Sequence, residues 1–343
     1  MNPNILKQTL PDGRHVDLQH AEAELLMTVD EQHSALFQLT SSLENLSALQ
    51  LIELAGVDRD SSVPVLVAAL HVLFDSQPQL LEIELSLAGH GELIAALVAS
   101  GAATRSGEVS ESVISRRGML RQMVELYLSQ SSACAFPLHY TVTDGKRHPL
   151  RAPVAIGEVY RRYLPEQGLS LSLRTVDPET DLDTFHAWHN NPRVSAFWEL
   201  EGSKDMHREY LQKVTTDAHM HPVFGCFDGE PFGYFEIYWA KEDRIAPYYE
   251  VDDYDRGVHM LVGEERWRGP QRVAAWLPSL AHFMFLDDPR TRNVVAEPRA
   301  DNAKMIGYMQ QAGFCKPKEF DFPHKRAALM MLSREAFFDQ FCV

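Results

Sequence analysis

Basic residues are in short supply in this sequence. Over 343 residues, 32 Lys and Arg stand against 48 Asp and Glu, a formal net charge of −16. A surface of that sign repels phosphate backbones and anionic lipid, which excludes a general nucleic-acid or membrane-surface binder. Any anionic ligand must be met by a local cluster of donors. Cysteine is scarce too: Cys134, Cys226, Cys315 and Cys342 are far apart and form no Cys-x-x-Cys pair. A disulfide framework, a zinc ribbon and a thioredoxin-type motif are thereby excluded, and no metal is expected. No apolar run approaches the ~20 residues of a membrane span, and the opening segment MNPNILKQTLPDGRHVDLQHAEAELL lacks the apolar core of a secretory leader. The expectation is a cytoplasmic protein, with about two domains at ~150 residues each.

Residues 1–60 read as polar and weakly periodic. From Pro64 onward, PVLVAALHVLFDS reads as a buried helix, LLEIELSL as a strand, GHGELIAALVASGA as a helix and EVSESVI as a weak strand. Met119, Met123, Leu126 and Tyr127 have helical spacing, which predicts a third helix in GMLRQMVELYLSQ. This outlines an N-terminal α/β domain over 1–130, a Ser-, Pro- and Gly-rich connector over 131–155, and a longer α+β domain over 156–343. In the latter, LSLRTV is a strand and DLDTFHAWHN a helix ending before Pro192. Ser203 opens a second helix as its N-cap. HPVFGCF and EPFGYFEIYWA form a hairpin about Asp228–Gly229. GVHMLVG, NVVAEPR, CKPKEFDF and RAALMML are further strands, and helices fill 270–286 and 302–312. His71, Phe74, Asp75 and Gly101 recur as His282, Phe285, Asp287 and Gly313, either a degenerate internal repeat or the common look of two αβα segments.

The segment DYDRGVHMLVGEERWRGPQRVAAWL is the most informative. A strand ends at Gly263, a loop carries Arg266, Arg268 and Gly269, and a helix follows. Such a turn offers backbone N–H groups and a positive helix end to a phosphate. The plain alternative is a βα loop with solvated arginines. His186 and His189, three apart on one helix, lack a third metal ligand and read as a helix face. Cys226 and Cys315 read as core.

The order strand, two helices, three strands, loop, helix, strand, helix, two strands resembles the GNAT acyltransferase fold, a mixed, splayed sheet flanked by helices. That family's Q/R-x-x-G-x-G/A loop is matched at Arg266 and Gly269 and departs at Gln271. Its N-x-x-A-x-x-x-Y-x-x-x-G-F helix is matched at Asn302, Gly313 and Phe314. Met309 stands at the tyrosine position, so the family's usual acid for the departing thiolate is missing, and Tyr308 lies about 100° around the helix. The N-terminal domain then reads as a smaller, degenerate GNAT-like half. A narrower resemblance is carried by GEVYRRY, NNPRVSAFWE, FGCFDGEPFGYFEIYWAKEDRI, DRGVHMLVGEERWRG, EPRADN and KEFDFPHKRAAL. Over residues 155–338 the chain resembles the acyltransferases of hydroxamate-siderophore biosynthesis, including the aerobactin-pathway N6-hydroxylysine acetyltransferase type.

The resemblance implies direct transfer in a ternary complex: the hydroxylamine nitrogen attacks acetyl-CoA or succinyl-CoA to give a hydroxamate. It places Leu261, Val262, Gly263, Arg266, Arg268, Gly269 and Asn302 at the acyl-CoA. His259 is the candidate general base, against a reading as a core histidine. Asp301 is its orienting partner or a helix N-cap, with Glu297 as a stand-in. Trp198, Glu199, Glu236, Tyr238 and Trp239 line the amine pocket. FPHKRAA is either a CoA contact or a solvated strand end. The implied partners are an N-hydroxylated lysine or diamine substrate, the pathway N-hydroxylase and siderophore synthetase, and a second copy of the chain. Competing readings are succinylation of N-hydroxyputrescine or N-hydroxycadaverine, a GNAT acting on an ordinary amine, and a non-catalytic scaffold. The expected N-terminal role is cover or self-association.

Overall fold

The segment that reads as polar, residues 1–60, is in fact built of strands. The computed structural model describes residues 4–21, 23–39, 48–56, 59–107, 111–130 and 135–341. It gives β1 (Asn4–Thr9), β2 (His15–Ala21), β3 (Glu24–Val29), β4 (His33–Leu39) and β5 (Ala48–Ala55). Val16 and Leu18, then Leu25, Met27 and Val29, then Ala35, Phe37 and Leu39 are buried, every second residue, as side chains alternate along a strand. Asp17, Thr28 and Gln38 break the apolar stripe while Leu26 and Leu36 fall on the other face, so neither composition nor a clean alternation marks these strands. Then come α1 (Arg59–Ser76), β6 (Glu82–Ser86), α2 (Gly91–Ala99), β7 (Thr104–Arg105) and β8 (Ser112–Arg116). Helix α1, buried from Val65 to Phe74, packs on β2, β3 and β4.

The predicted third helix is corrected. Only one turn forms, α3 (Arg117–Leu120), followed by a 3-10 turn at Val124–Leu126. The buried Arg117 guanidinium reaches back to the carbonyls of Phe74, Gln77 and Leu80, at and beyond the end of α1, and holds the chain there. The connector is corrected too. It contains a hairpin, β9 (Tyr140–Thr143) and β10 (Lys146–Pro149), closed by Asp144 and Gly145 with φ of 50° and 77°.

The C-terminal sheet follows the expected order. It comprises β11 (Glu158–Leu164), β12 (Leu169–Thr175), α4 (Leu182–His189), α5 (Pro192–Trp198), α6 (Lys204–Thr216), β13 (Met220–Phe227), β14 (Glu230–Trp239), β15 (Arg256–Val262), α7 (Pro270–Asp287), β16 (Asn293–Ala296), α8 (Ala303–Gln311), β17 (Cys315–Asp321), β18 (Arg326–Ser333) and α9 (Arg334–Phe341). Asn191 caps α5 with Pro192 at its first position, and the Ser203 side chain accepts from Met206 N to cap α6. Asp228 and Gly229, φ 47° and 81°, make the two-residue turn between β13 and β14. Helix α7 is buried on nearly every face.

Contacts divide the chain into two units: Met1–Leu128 with Tyr163–Gly168 and Phe341–Val343, and Ser129–Arg162 with Leu169–Gln340. Each of the two eight-stranded sheets has the same internal order, β1-β2-β3-β4-β5-β6-β8-β7 and β11-β12-β13-β14-β15-β16-β18-β17. In both, the fifth and sixth strands are parallel and linked by an 18-residue helix, and a nine-residue helix follows the sixth. The N-terminal unit is therefore GNAT-like, without helices between its second and third strands. Among the described residues no helix is long and apolar enough to cross a membrane.

Candidate active site

In the C-terminal sheet β15 pairs with β16 only at Arg256↔Val294 and Gly257↔Val295; beyond these the strands separate. The rest of β15 has no strand on that side. On its other side β15 is antiparallel to β14, in a register that sets His259 opposite Glu236, Leu261 opposite Tyr234 and Gly257 opposite Tyr238. Strand alternation puts Tyr234, Glu236 and Tyr238 on one face with His259.

His259 sits between two buried carboxylates. Its Nδ1 is 3.0 Å from Glu236 Oε2 and its Nε2 is 2.8 Å from Glu297 Oε1, just beyond β16. Glu236 also accepts from Tyr210 Oη at 2.5 Å and Tyr234 Oη at 2.9 Å. Glu297 accepts from Tyr238 Oη at 2.7 Å and from Arg244 at 3.2 Å. Burial alone would lower the histidine pKa; the two carboxylates outweigh it and push it up to about 10. Burial would raise both carboxylates, but the histidine and the tyrosine hydroxyls hold them below their ordinary values. Burial, and then the adjacent glutamate, raises Tyr234 and Tyr238. The resting site is thus an imidazolium donating to two carboxylates. Both ring nitrogens are engaged, so the expected role as a base requires that one of them first be released.

The loop after β15 is pinned from beneath. Arg193, in α5, donates to the carbonyls of Val262 and Gly263, each at 3.0 Å. Gly263 lies against the Trp188 ring, where any Cβ would overlap it at 2.0 Å. Gly269 has φ +132° and precedes Pro270, the first residue of α7. Arg266 pairs with Glu230, while Arg268 is exposed and near enough to Arg193 for their charges to repel.

Several expected roles change. Asp301 neither orients His259 nor caps a helix; it is exposed and paired with Arg299 at 2.8 Å. Glu297 takes the orienting place. Asn302, expected at the acyl-CoA, caps α8, its Oδ1 accepting from Met305 N. Trp239 points to the opposite face, between the guanidinium groups of Arg151 and Arg256 at 4.2 and 4.1 Å. Glu236 is a partner of His259 rather than free lining. Trp198 does approach, its ring 6.4 Å from that of His259. Glu199 is an exposed residue in left-handed conformation at the end of α5. Lys325, in the FPHKRAA segment, donates to the Glu297 carbonyl. His186 meets His207, and His189 is buried on Phe185. Cys315 is exposed, not core, while Cys226 is buried; Cys134 and Cys342 lie outside the described residues. Reading by sequence missed Tyr210, Tyr234, Arg193 and Arg244. For Tyr234 the signal was available, as it is two residues from Glu236.

The N-terminal unit lacks this constellation. Five residues separate the end of the long helix from the start of the sixth strand in both units, setting Glu82 on Asn293 and Ser86 on Glu297. Ala48 pairs with Glu84 as Gly257 pairs with Val295, so Gln50 takes the place of His259. Gln38, opposite Gln50, takes that of Glu236.

Comparison with known proteins agrees with this geometry. Residues 177–322 match the acetyltransferase (GNAT) domain family. The chain is similar to a solved structure of an uncharacterized protein from Bacillus halodurans, 29% identical, with a TM-score of 0.51, covering 55% of this chain and 97% of that one. Fold and site thus define a GNAT acyltransferase, a class that takes its acyl group from acyl-CoA. The chain is 40% identical to an N(6)-hydroxylysine O-acetyltransferase of Escherichia coli over 79% of its own length and 84% of that enzyme's. It is 44% identical to a hydroxyornithine transacylase of Ajellomyces capsulatus over 60% of its length, spanning 49% of that protein. The chain belongs to the hydroxamate-siderophore acyltransferases of the GNAT superfamily.

Proposed function

We propose that this protein transfers the acetyl group of acetyl-CoA to the hydroxylamine nitrogen of an N6-hydroxylysine-type acceptor, forming a hydroxamate. The observation that carries the reading is the Glu236–His259–Glu297 set at the point where β15 and β16 part. The pantetheine arm adds to the free side of β15 as a strand would, and backbone N–H groups near Leu261 and Val262 receive the developing oxyanion. Arg266, Arg268, the Gly269 backbone and the start of α7 meet the phosphates.

A hydroxylamine is largely neutral at physiological pH and attacks without prior deprotonation. The N–C bond forms, the C–S bond breaks, and the nitrogen proton must leave. The acceptor takes one His259 ring nitrogen from its carboxylate. With one charged partner displaced, the ring holds its second proton less tightly; that proton passes to the displaced carboxylate or to water, and the neutral imidazole then accepts the proton of the attacking nitrogen. The thiolate leaves with CoA and is protonated there. Trp198 flanks the acceptor. The enzyme works in the cytoplasm as a homodimer, between the N-hydroxylase that supplies the acceptor and the synthetase that consumes the hydroxamate.

Free-thiol release from acetyl-CoA with N6-hydroxylysine, read beside the colour of the ferric complex, tests this. Only N-acylation leaves a hydroxamate that chelates iron. Thiol release without colour makes the product an O-ester; release with lysine but not with hydroxylysine makes the protein an ordinary amine acetyltransferase. Succinyl-CoA in the same assay settles the donor.

A further inference from the structure

Two cations stand at the mouth of the site, and only one of them reaches a carboxylate side chain among the described residues. The Arg244 side chain is 48% exposed, with one nitrogen 3.2 Å from Glu297 Oε1 and 3.4 Å from His259 Nε2. Lys325 Nζ donates to the main-chain carbonyl of Glu297 at 2.8 Å. The two cations converge on one ring, 5.4 and 5.6 Å from the centroid of Phe322. Glu297, the one carboxylate Arg244 reaches, is already bonded by His259 and Tyr238. Lys325 has no carboxylate within ion-pair distance among the described residues. The other charges nearby do not answer this. Arg299 is paired with Asp301; Asp243, which accepts from Ile245 N, attracts both Arg244 and Lys325 without forming an ion pair with either. Burial, with repulsion from Arg244 and Arg299, lowers the Lys325 pKa against the pull of Glu297 and Asp243. A half-buried ammonium and an open guanidinium fork, both near one aromatic ring and both bonded to Glu297, are the complement of a carboxylate.

We propose that Arg244 and Lys325 form a carboxylate subsite beside the reacting centre, filled by the α-carboxylate of an N-hydroxylated amino acid. The inference rests on the acyl-transfer reading above and adds the head group that the site selects. The same chemistry, an aliphatic carboxylate a short chain from the reacting atoms, is also offered by the end of a succinyl donor.

Three pairs separate these sources: acetyl-CoA with N6-hydroxylysine, acetyl-CoA with N-hydroxycadaverine, which has the same chain without the carboxylate, and succinyl-CoA with N-hydroxycadaverine. Losing a charge-assisted hydrogen bond changes affinity about ten- to hundred-fold. The wild type is expected to favour N6-hydroxylysine over N-hydroxycadaverine by that factor in kcat/KM. Lys325→Met and Arg244→Met should collapse the ratio toward one, chiefly through KM, and Lys325→Arg should retain most of it. A collapse in the succinyl-to-acetyl ratio instead moves the subsite to the donor and overturns the acceptor assignment. Equal use of all three pairs by the wild type, or ratios unchanged in both Met variants, overturns the subsite and leaves acyl transfer standing. Failure to release thiol with every pair overturns the function, and the subsite with it.

Discussion

Glu297→Gln should return the His259 imidazolium to the range in which it titrates near neutrality. The ring's pKa is about 10 in place, against the ordinary histidine value of about 6.5. The rise stands although burial pulls the other way, so the two carboxylates together outweigh burial. They lie at nearly equal distances, 3.0 and 2.8 Å. Each therefore helps to hold the proton on the ring. With Glu297 neutralised, Glu236 acts alone against the same burial, and the pKa falls from about 10 toward the ordinary histidine value. Glutamine keeps the shape and an oxygen for the Tyr238 hydroxyl, so the pocket need not collapse. Heteronuclear NMR of labelled imidazoles, with His259→Gln to assign the signal, reads the titration in both proteins. A wild-type His259 titrating near the ordinary value, or an equal midpoint in the two proteins, would refute the electrostatic account.

The same contacts make stability depend on pH. The His259 pKa is raised on folding, so its contribution is complete below the ordinary value of about 6.5 and is lost as pH rises from there through about 10. Glu236 and Glu297 are lowered, so theirs holds above about 4.5 and is lost as pH falls below it. Thermal midpoints should decline on both sides, with a flatter alkaline limb in His259→Gln; a wild-type midpoint constant from neutrality into the alkaline range would contradict this. Arg268→Ala should raise the KM for acyl-CoA about ten- to hundred-fold and leave that for the acceptor nearly unchanged. Gly269→Val should be worse, because a valine at φ +132° is strained and its Cβ would meet the Gln271 side chain at 2.9 Å; equal rises in both constants would mean that acyl-CoA binds elsewhere. Arg193→Ala leaves the Val262 and Gly263 carbonyls without their donor, about 1–3 kcal/mol, and should lower both the thermal midpoint and the acyl-CoA affinity measured by calorimetry.

The C-terminal sheet was legible because its punctuation is strong: Asp228–Gly229, Pro192, Ser203 and the glycines around the loop each fix a boundary by local chemistry. The N-terminal strands were not, because Leu26 and Leu36 stand between the buried positions of β3 and β4 and blur the alternation, while the surrounding segment is polar by composition. The third helix failed for the opposite reason. Its apolar spacing was right, but Arg117, a surface residue by type, is buried and overrides local propensity. Within the site, His259 was legible from its place before the loop. Its partners depend on register across strands that are distant in sequence, which no local pattern reports. Trp239 could have been set aside from parity alone, since it is an odd number of residues from Glu236.

His259 and Glu297 belong to opposite arms of a split sheet, one on β15 and the other just past β16. Two residue pairs at the base are the strand pairing that joins these arms, and the 2.8 Å contact between imidazolium and carboxylate is a clasp across the gap above. Anything wedged between the arms strains that clasp first. In the proposed reaction, arrival of the acceptor in the cleft and release of a ring nitrogen are therefore one event, so the proton acceptor is unmasked only when there is a nucleophile for it to serve.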